Sequence, residues 1–189
     1  VTVTIIEGAL SIVAEEEEAL ALAHLRNMIA DCEVWRAIVA QPGYVWSDLK
    51  TLADAATSDR DDAIDAIHYD RIDDEGQSQT VPAVLIRHAE EDDFIHQGGA
   101  QWDITASFYI EMNLEIPSDY RSSTRLATVD FLNKIGRFRR ELLANTNAPG
   151  YLSTVRISRG LMGEIAPDEN NGQRVRTASW ILTYDGSTP

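Results

Sequence analysis

Hydrophobic and polar positions change period several times along the chain, and each change predicts an element. Val1-Thr2-Val3-Thr4-Ile5-Ile6 alternates as a short strand or arm. Leu25, Met28, Ile29, Cys32, Trp35, Ile38 and Val39 then recur at steps of three and four. Such spacing shares one helix face and predicts a helix over about 14–40. Glu15 to Glu18 sit near its start, where the macrodipole favours negative charge, and Pro42-Gly43 stops it. A short helix through Ala56 follows, with Ser47 or Asp48 as its cap. Asp70-Arg71-Ile72 reads as a strand and Asp73 to Gln79 as a loop. Val81 to His88 is a strand with Pro82 near its start, where a missing N–H is tolerable. Glu90 to Asp93 and Gln97-Gly98-Gly99 connect it to the next strand.

That next strand is the clearest local signal. Ile104, Ala106, Phe108, Ile110, Met112, Leu114 and Ile116 occupy even positions, and Asp103, Thr105, Ser107, Tyr109, Glu111, Asn113 and Glu115 the odd ones. Period-two alternation of this kind predicts an antiparallel strand with one face on a core. Its length predicts that part of it projects beyond the domain body. A second helix runs from Pro117-Ser118-Asp119 to about Leu143, capped by Ser118 or Asp119. Its buried stripe is Phe131, Leu132, Ile135, Phe138 and Leu142, with Lys134, Arg137, Arg139 and Arg140 off that stripe. After a loop over 145–150, Leu152 to Arg159 is a strand. Leu161 to Ala166 and Arg174 to Asp185 form a terminal hairpin around Asn171-Gly172. Ala178, Trp180, Leu182 and Tyr184 share one face of the last strand. The order predicts an α+β fold, two main helices packed on one face of a mostly antiparallel sheet. The whole of 1–189 reads as a single domain with an acidic insertion at about 44–76.

Composition narrows the function classes. The chain carries 31 acids against 16 bases, a net charge of −15, so non-specific nucleic-acid binding, which needs Lys and Arg on phosphates, is disfavoured. The charge is uneven: residues 1–116 hold 6 bases and 24 acids, a balance of −18, and residues 117–189 hold 10 bases and 7 acids, +3. No apolar run approaches the ~20 residues that span a bilayer, and the first residues lack the basic-then-apolar layout of a signal peptide. A single cysteine, Cys32, excludes an internal disulfide; on the buried stripe it reads as a core residue.

Signatures of chemistry are lacking. There is no Gly-rich phosphate loop, no His-Glu-x-x-His and no Gly-x-Ser-x-Gly elbow. No two of His24, His68, His88 and His96 stand four apart. His88 and His96 with Asp92 or Asp93 resemble a hairpin metal site, but polar hairpin residues in water explain them more simply. Asp59, Asp61, Asp62 and Asp65 do not match the calcium-loop pattern. No catalytic residue, metal or cofactor is expected.

The whole layout resembles the tail terminator (tail-to-head joining, or tail-completion) proteins of long-tailed bacteriophages. The likeness runs through the helix bearing Leu25, Met28, Ile29 and Trp35, then Ile67-His68-Tyr69-Asp70, then Val81-Pro82-Ala83-Val84-Leu85-Ile86, which is similar to that family's Pro-containing strand. The long alternating strand, the helix over 119–143 and the closing strands complete it. The acidic segment at 44–76 and the Val1–Ile6 extension depart from the pattern. The resemblance implies a virion protein, assembled in the bacterial cytoplasm, that forms a hexameric ring on the tail tube. Such a ring ends tube polymerisation and joins the tail to the head connector, so the implied partners are other copies, the tube protein and the connector. It implies no catalytic residues. The charge split offers unlike lateral faces for a ring: Arg137, Arg139 and Arg140 on one side, Glu90, Glu91, Asp92 and Asp93 on the other. Tyr109, Glu111, Asn113 and Glu115 would line the lumen or meet the tube, an acidic lumen letting DNA slide. Another neck or head–tail connector component, a non-viral oligomeric adaptor and an enzyme with an unconventional site stay open as alternatives.

Overall fold

The alternating stretch becomes the spine of a sheet. A computed structural model describes residues 3–7, 10–14, 17–69, 81–89, 94–96, 102–144, 152–157, 161–162, 166–167 and 174–187. In chain order they form β1 (Val3–Glu7), β2 (Leu10–Ala14), α1 (Glu17–Ala30), α2 (Glu33–Ala40), α3 (Trp46–Ala55), α4 (Arg60–Asp65), β3 (Ile67–Tyr69), β4 (Ala83–His88), β5 (Phe94–His96) and β6 (Trp102–Glu115). A 3₁₀ turn (Ser118–Tyr120), α5 (Thr124–Ala144), β7 (Leu152–Ile157), β8 (Leu161–Met162), β9 (Ala166–Pro167) and β10 (Arg174–Ser187) follow. The predicted strand at 70–72, the loops at 73–79, 97–99 and 145–150 and the Asn171-Gly172 turn lie outside the described residues.

The main sheet runs β3-β4-β6-β10-β7, with β5 added to β6, and β8 and β9 to β10. β3 and β4 are parallel; every other pairing is antiparallel. The fold is therefore α+β with a mostly antiparallel sheet. β6 runs nearly its full length beside β10, which is equally long and pairs with it from Val175↔Glu115 to Ser187↔Asp103. β1 and β2 form a separate antiparallel hairpin, extending the expected short strand.

The even-numbered side chains of β6 from Ala106 to Leu114 and of β10 from Ala178 to Tyr184 face the helices. Ala106, Phe108, Ile110, Met112, Leu114, Ala178, Trp180, Leu182 and Tyr184 are buried with Leu25, Met28, Ile29, Trp35, Phe131, Phe138 and Leu142 in one core. Aromatic contacts fix the layers: Phe138 meets Trp180 at 5.7 Å between ring centroids, and Phe108 meets Tyr184 edge-on at 6.1 Å. Residues 44–69 of the acidic segment belong to this body, since Leu49, Ala53, Ala63 and Ile67 lie in the same core; residues 70–76 lie outside the described residues. Among the described residues no helix is long and apolar enough to cross a membrane.

The predicted helix over 14–40 is two helices. The apolar spacing continues through Asp31-Cys32, but Cys32 adopts an extended conformation there. A break exposes backbone groups that must find partners. Arg36 Nε donates to the Ala30 carbonyl at 2.7 Å, closing the end of α1. The Val34 N–H donates to Glu141 Oε2 at 2.9 Å, closing the start of α2 from α5. Cys32 is buried as expected and its thiol donates to the Met28 carbonyl. Burial, with Glu141 and Asp31 adding to it, pushes that thiol far up, which disfavours the thiolate.

Tyr184 holds α1 to β10. Its hydroxyl lies 2.9 Å from His24 Nδ1 and donates toward Met28 Sδ at 3.5 Å. Burial raises this phenol well above its ordinary value of 10.0. In the unfolded chain the phenol ionises near that value, while in the folded chain it stays protonated. Its contribution is therefore complete below about pH 10 and is lost as pH climbs above it. The fall in urea midpoint between about pH 9 and 11 is expected to be shallower in Tyr184→Phe than in the parent. Equal slopes would contradict this placement of the phenol.

Candidate interaction surfaces

The candidate surfaces lie on α5 and on the sheet face away from it. Thr124–Ala144 starts later than the sequence predicted, because Ser118–Tyr120 winds as a 3₁₀ turn. Ser123 is the residue whose hydroxyl accepts a first-turn N–H, that of Leu126, at 3.4 Å. The inward side carries Ala127, Phe131, Ile135, Phe138 and Leu142, and also Asp130 and Lys134. Two expectations are corrected here. Lys134, expected off the stripe, is buried, and Leu132, expected on it, is 48% exposed. At 3.6 residues per turn Leu132 stands about 100° round from Phe131, outside the arc that meets the sheet.

Lys134 is tolerated inside because a carboxylate and a backbone carbonyl receive its ammonium. Its Nζ pairs with Asp130 Oδ2 at 2.7 Å and donates to the Tyr44 carbonyl at 2.7 Å. Asp130 Oδ1 in turn accepts the Trp46 N–H at 2.6 Å. That bond caps α3, whose preceding residue is Val45; neither Ser47 nor Asp48 serves as the cap. Burial pulls the Lys134 amine below its ordinary value, against the opposing pull of Asp130.

The three predicted interface arginines separate. Arg137 is engaged inside the subunit, with Glu141 through Nε and with Asp54 at 3.3 Å. The Glu141 hydrogen bond is the main reason its guanidinium holds its proton more tightly than usual. Lys50 first, and then Arg137, keep the Asp54 carboxyl below its ordinary value. Arg140 is exposed and Arg139 half-buried. Their predicted partners Glu90, Glu91, Asp92 and Asp93 lie outside the described residues.

On the outward side of α5 stand Leu132 and three apolar residues that the sequence did not single out. Leu126 is 51% exposed, Val129 52%, Leu132 48% and Leu143 42%. They follow one another at helical steps, with Gly136 filling the same line between Leu132 and Leu143. A β-carbon placed on Gly136 would meet nothing within 4 Å. The signal was present in the sequence: this helix carries apolar residues at helical spacing on two opposite sides, and one stripe suffices to dock on a sheet.

The outer face of β6 and β10 is a ladder of polar side chains bonded to one another. Asn113 is buried there, accepting from the Thr177 hydroxyl at 2.6 Å and donating to Glu111 at 3.2 Å. The Ser107 and Thr183 hydroxyls meet at 3.1 Å, and Arg156 grips Asp185 at 2.6 and 2.9 Å. Tyr109 lies under the Arg87 guanidinium, 5.9 Å from its ring centre, and Arg87 also pairs with Glu111 at 3.8 Å. Glu115 is engaged with Arg121 at 2.9 Å and lies against the Gly43 turn, whose positive φ of 81° suits glycine. The acids predicted to face a lumen are thus matched by bases within the subunit.

His88 packs edge-on against Phe108 at 5.8 Å. The described residues hold no group of three His, Cys, Asp or Glu side chains arranged for a metal ion. In comparisons with known proteins, no family model matches the chain, and no curated protein matches it.

Proposed function

We propose that this chain is a self-assembling structural protein of a bacteriophage particle, a ring at the head-proximal end of the tail that ends tube polymerisation and joins the tail to the head connector. The observation that carries self-assembly is the outward stripe of α5. Four large aliphatic side chains stand in line on one helix face in water. Large apolar side chains gathered on one exposed helix face mark an interaction site. Support for the tail position comes from layout: Pro82 before β4, the 14-residue β6, the 21-residue α5 and the closing β10 follow the order of tail terminator proteins. The polar ladder on β6 and β10 is the face that meets the tube or lines the lumen. Its side chains satisfy one another, and a net charge of −15 keeps DNA phosphates unbound as they pass.

Electron-microscopy class averages of the purified protein, viewed along the particle axis, test this reading. A six-fold ring is expected. Twelve-fold symmetry would assign the chain to the connector, and isolated single subunits would overturn the reading. Reversing Arg140, the exposed member of the predicted set, to glutamate is expected to weaken the ring, with the fold intact by circular dichroism. Arg137 is excluded from that test because it holds α3 and α5 together, and Arg139 because it is half-buried. An exposed pair contributes only about 0–1 kcal/mol, so the expected weakening is modest.

A further inference from the structure

We propose that Arg176 is the floor of a binding site for a small oxyanion of the phosphate class, at the end of the fold where β10 and α5 begin. Arg176 stands in β10 opposite Leu114 of β6. Its guanidinium carbon lies over the Phe131 ring of α5, 5.7 Å from the ring centre. The residue is 8% exposed, so it is more than nine-tenths buried. Among the described residues its Nε and Nη1 make no hydrogen bond. A ring face attracts a cation but supplies no lone pair for its N–H donors. Lys134, the other buried cation of this layer, has Asp130 and the Tyr44 carbonyl. Burial pulls the Arg176 guanidinium below its ordinary proton affinity. It keeps its charge all the same, because a guanidinium does not give up its proton in a protein. A buried charge with unmet donors is costly, and an anion at those donors removes the cost.

The surroundings favour negative charge. Arg174 precedes Arg176 by two positions on the same face of β10, and its Nη1 donates to the Arg121 carbonyl at 2.9 Å, just before α5. The first turn of α5 contains Arg125 and no acid, so the positive end of a 21-residue helix meets no carboxylate of its own. Of the acids nearest in sequence, Glu115 is held by Arg121 at 2.9 Å and Asp119 is exposed on the 3₁₀ turn. Phosphate suits such a place. It carries up to two charges and accepts hydrogen bonds from several directions, and the arginine fork matches its oxygens. A duplex or a folded partner cannot reach a guanidinium set this deep. A small free anion can, once the arginine turns about its own side-chain bonds.

Titration calorimetry and urea unfolding of the full chain with inorganic phosphate test the proposal, with chloride holding the ionic strength constant. The parent is expected to bind phosphate, and its urea midpoint to rise with phosphate concentration. Arg176→Met keeps an unbranched stem against Phe131 and removes the charge. It is expected to bind phosphate at least ~10-fold more weakly and to lose the rise in midpoint. Without phosphate it is expected to be at least as stable as the parent, since it removes a buried charge with unmet donors. A purely structural arginine would give the opposite sign, so a variant less stable than the parent in phosphate-free buffer would overturn the proposal. Arg176→Lys retains the charge and is expected to retain measurable binding. No heat from the parent would overturn the proposal. So would an equal rise in midpoint for parent and Arg176→Met, which general exclusion of phosphate from protein surfaces produces. Stabilisation of the parent that grows with protein concentration and not with phosphate would also overturn it, placing a carboxylate of a second copy on Arg176.

Discussion

Asp130→Ala is expected to lower the unfolding free energy by about 3–5 kcal/mol, because it strands a charged amine inside the protein. The Asp130 and Lys134 side chains are 3% and 4% exposed, so water cannot replace the lost carboxylate. The substitution also frees the Trp46 N–H, the first turn of α3. Two companions separate the effects. Asp130→Asn keeps an acceptor for Trp46 and removes only the charge. Asp130→Leu combined with Lys134→Met removes the whole pair, and is expected to cost less than Asp130→Ala despite changing two residues. What remains of the cost reports the uncapped Trp46 N–H and the Tyr44 carbonyl that loses Lys134, on the order of 1–3 kcal/mol for each buried group left unpaired. Urea midpoints at constant slope measure all three. A loss below about 1 kcal/mol for Asp130→Ala, or a double variant less stable than the single, would contradict this reading of the pair.

Trp35→Ala is the second large effect, at about 3–5 kcal/mol. The side chain is fully buried in α2, and its Nε1–H donates to the Ala63 carbonyl at 3.0 Å. Ala63 lies in the last turn of the six-residue α4, where carbonyls have no partner within the helix. A helix so short does not stand alone in water. Trp35→Phe keeps most of the volume and loses the donor, so about 1–3 kcal/mol is expected from the unpaired carbonyl. Hydrogen exchange locates the damage: amides of α4 and the end of α3 should lose protection first in Trp35→Phe. Uniform loss across the sheet would contradict the assignment of Trp35 as the anchor of this segment.

These two side chains also explain how far the sequence could be read. The alternation around β6 and the stripe through Phe131, Leu132, Ile135, Phe138 and Leu142 are local patterns; both predicted the right element, and from Ala106 onward and along the stripe they predicted the right buried face except at Leu132, which is exposed. The helix break at Asp31-Cys32 was not legible. The group that closes the start of α2, Glu141, is 107 residues away from Val34. Likewise Asp130 is 84 residues from the Trp46 N–H that it caps, and Trp35 is 28 from Ala63. Periodicity reports which face is apolar; it carries no record of a cap delivered from another element.

The same limit governed the surfaces. The charge split put Arg137 at a subunit interface, and the alternation put Glu111 and Glu115 on a face lining a lumen or meeting a tube. In the fold Arg137 bridges Glu141 and Asp54, Glu111 meets Arg87, and Glu115 meets Arg121. Lys134 looked like a solvated cation because a lysine is rarely buried, yet a carboxylate one helical turn away and a backbone carbonyl hold it. On the outside of α5 stand the apolar Leu126, Val129, Leu132 and Leu143 beside the exposed Arg125 and Arg140.

The central claim is that the protein works by associating with copies of itself, and native mass spectrometry at micromolar concentration tests it most directly. The account predicts a dominant species with the mass of six copies of the 21.0 kDa chain. A single chain at every concentration sampled would contradict it.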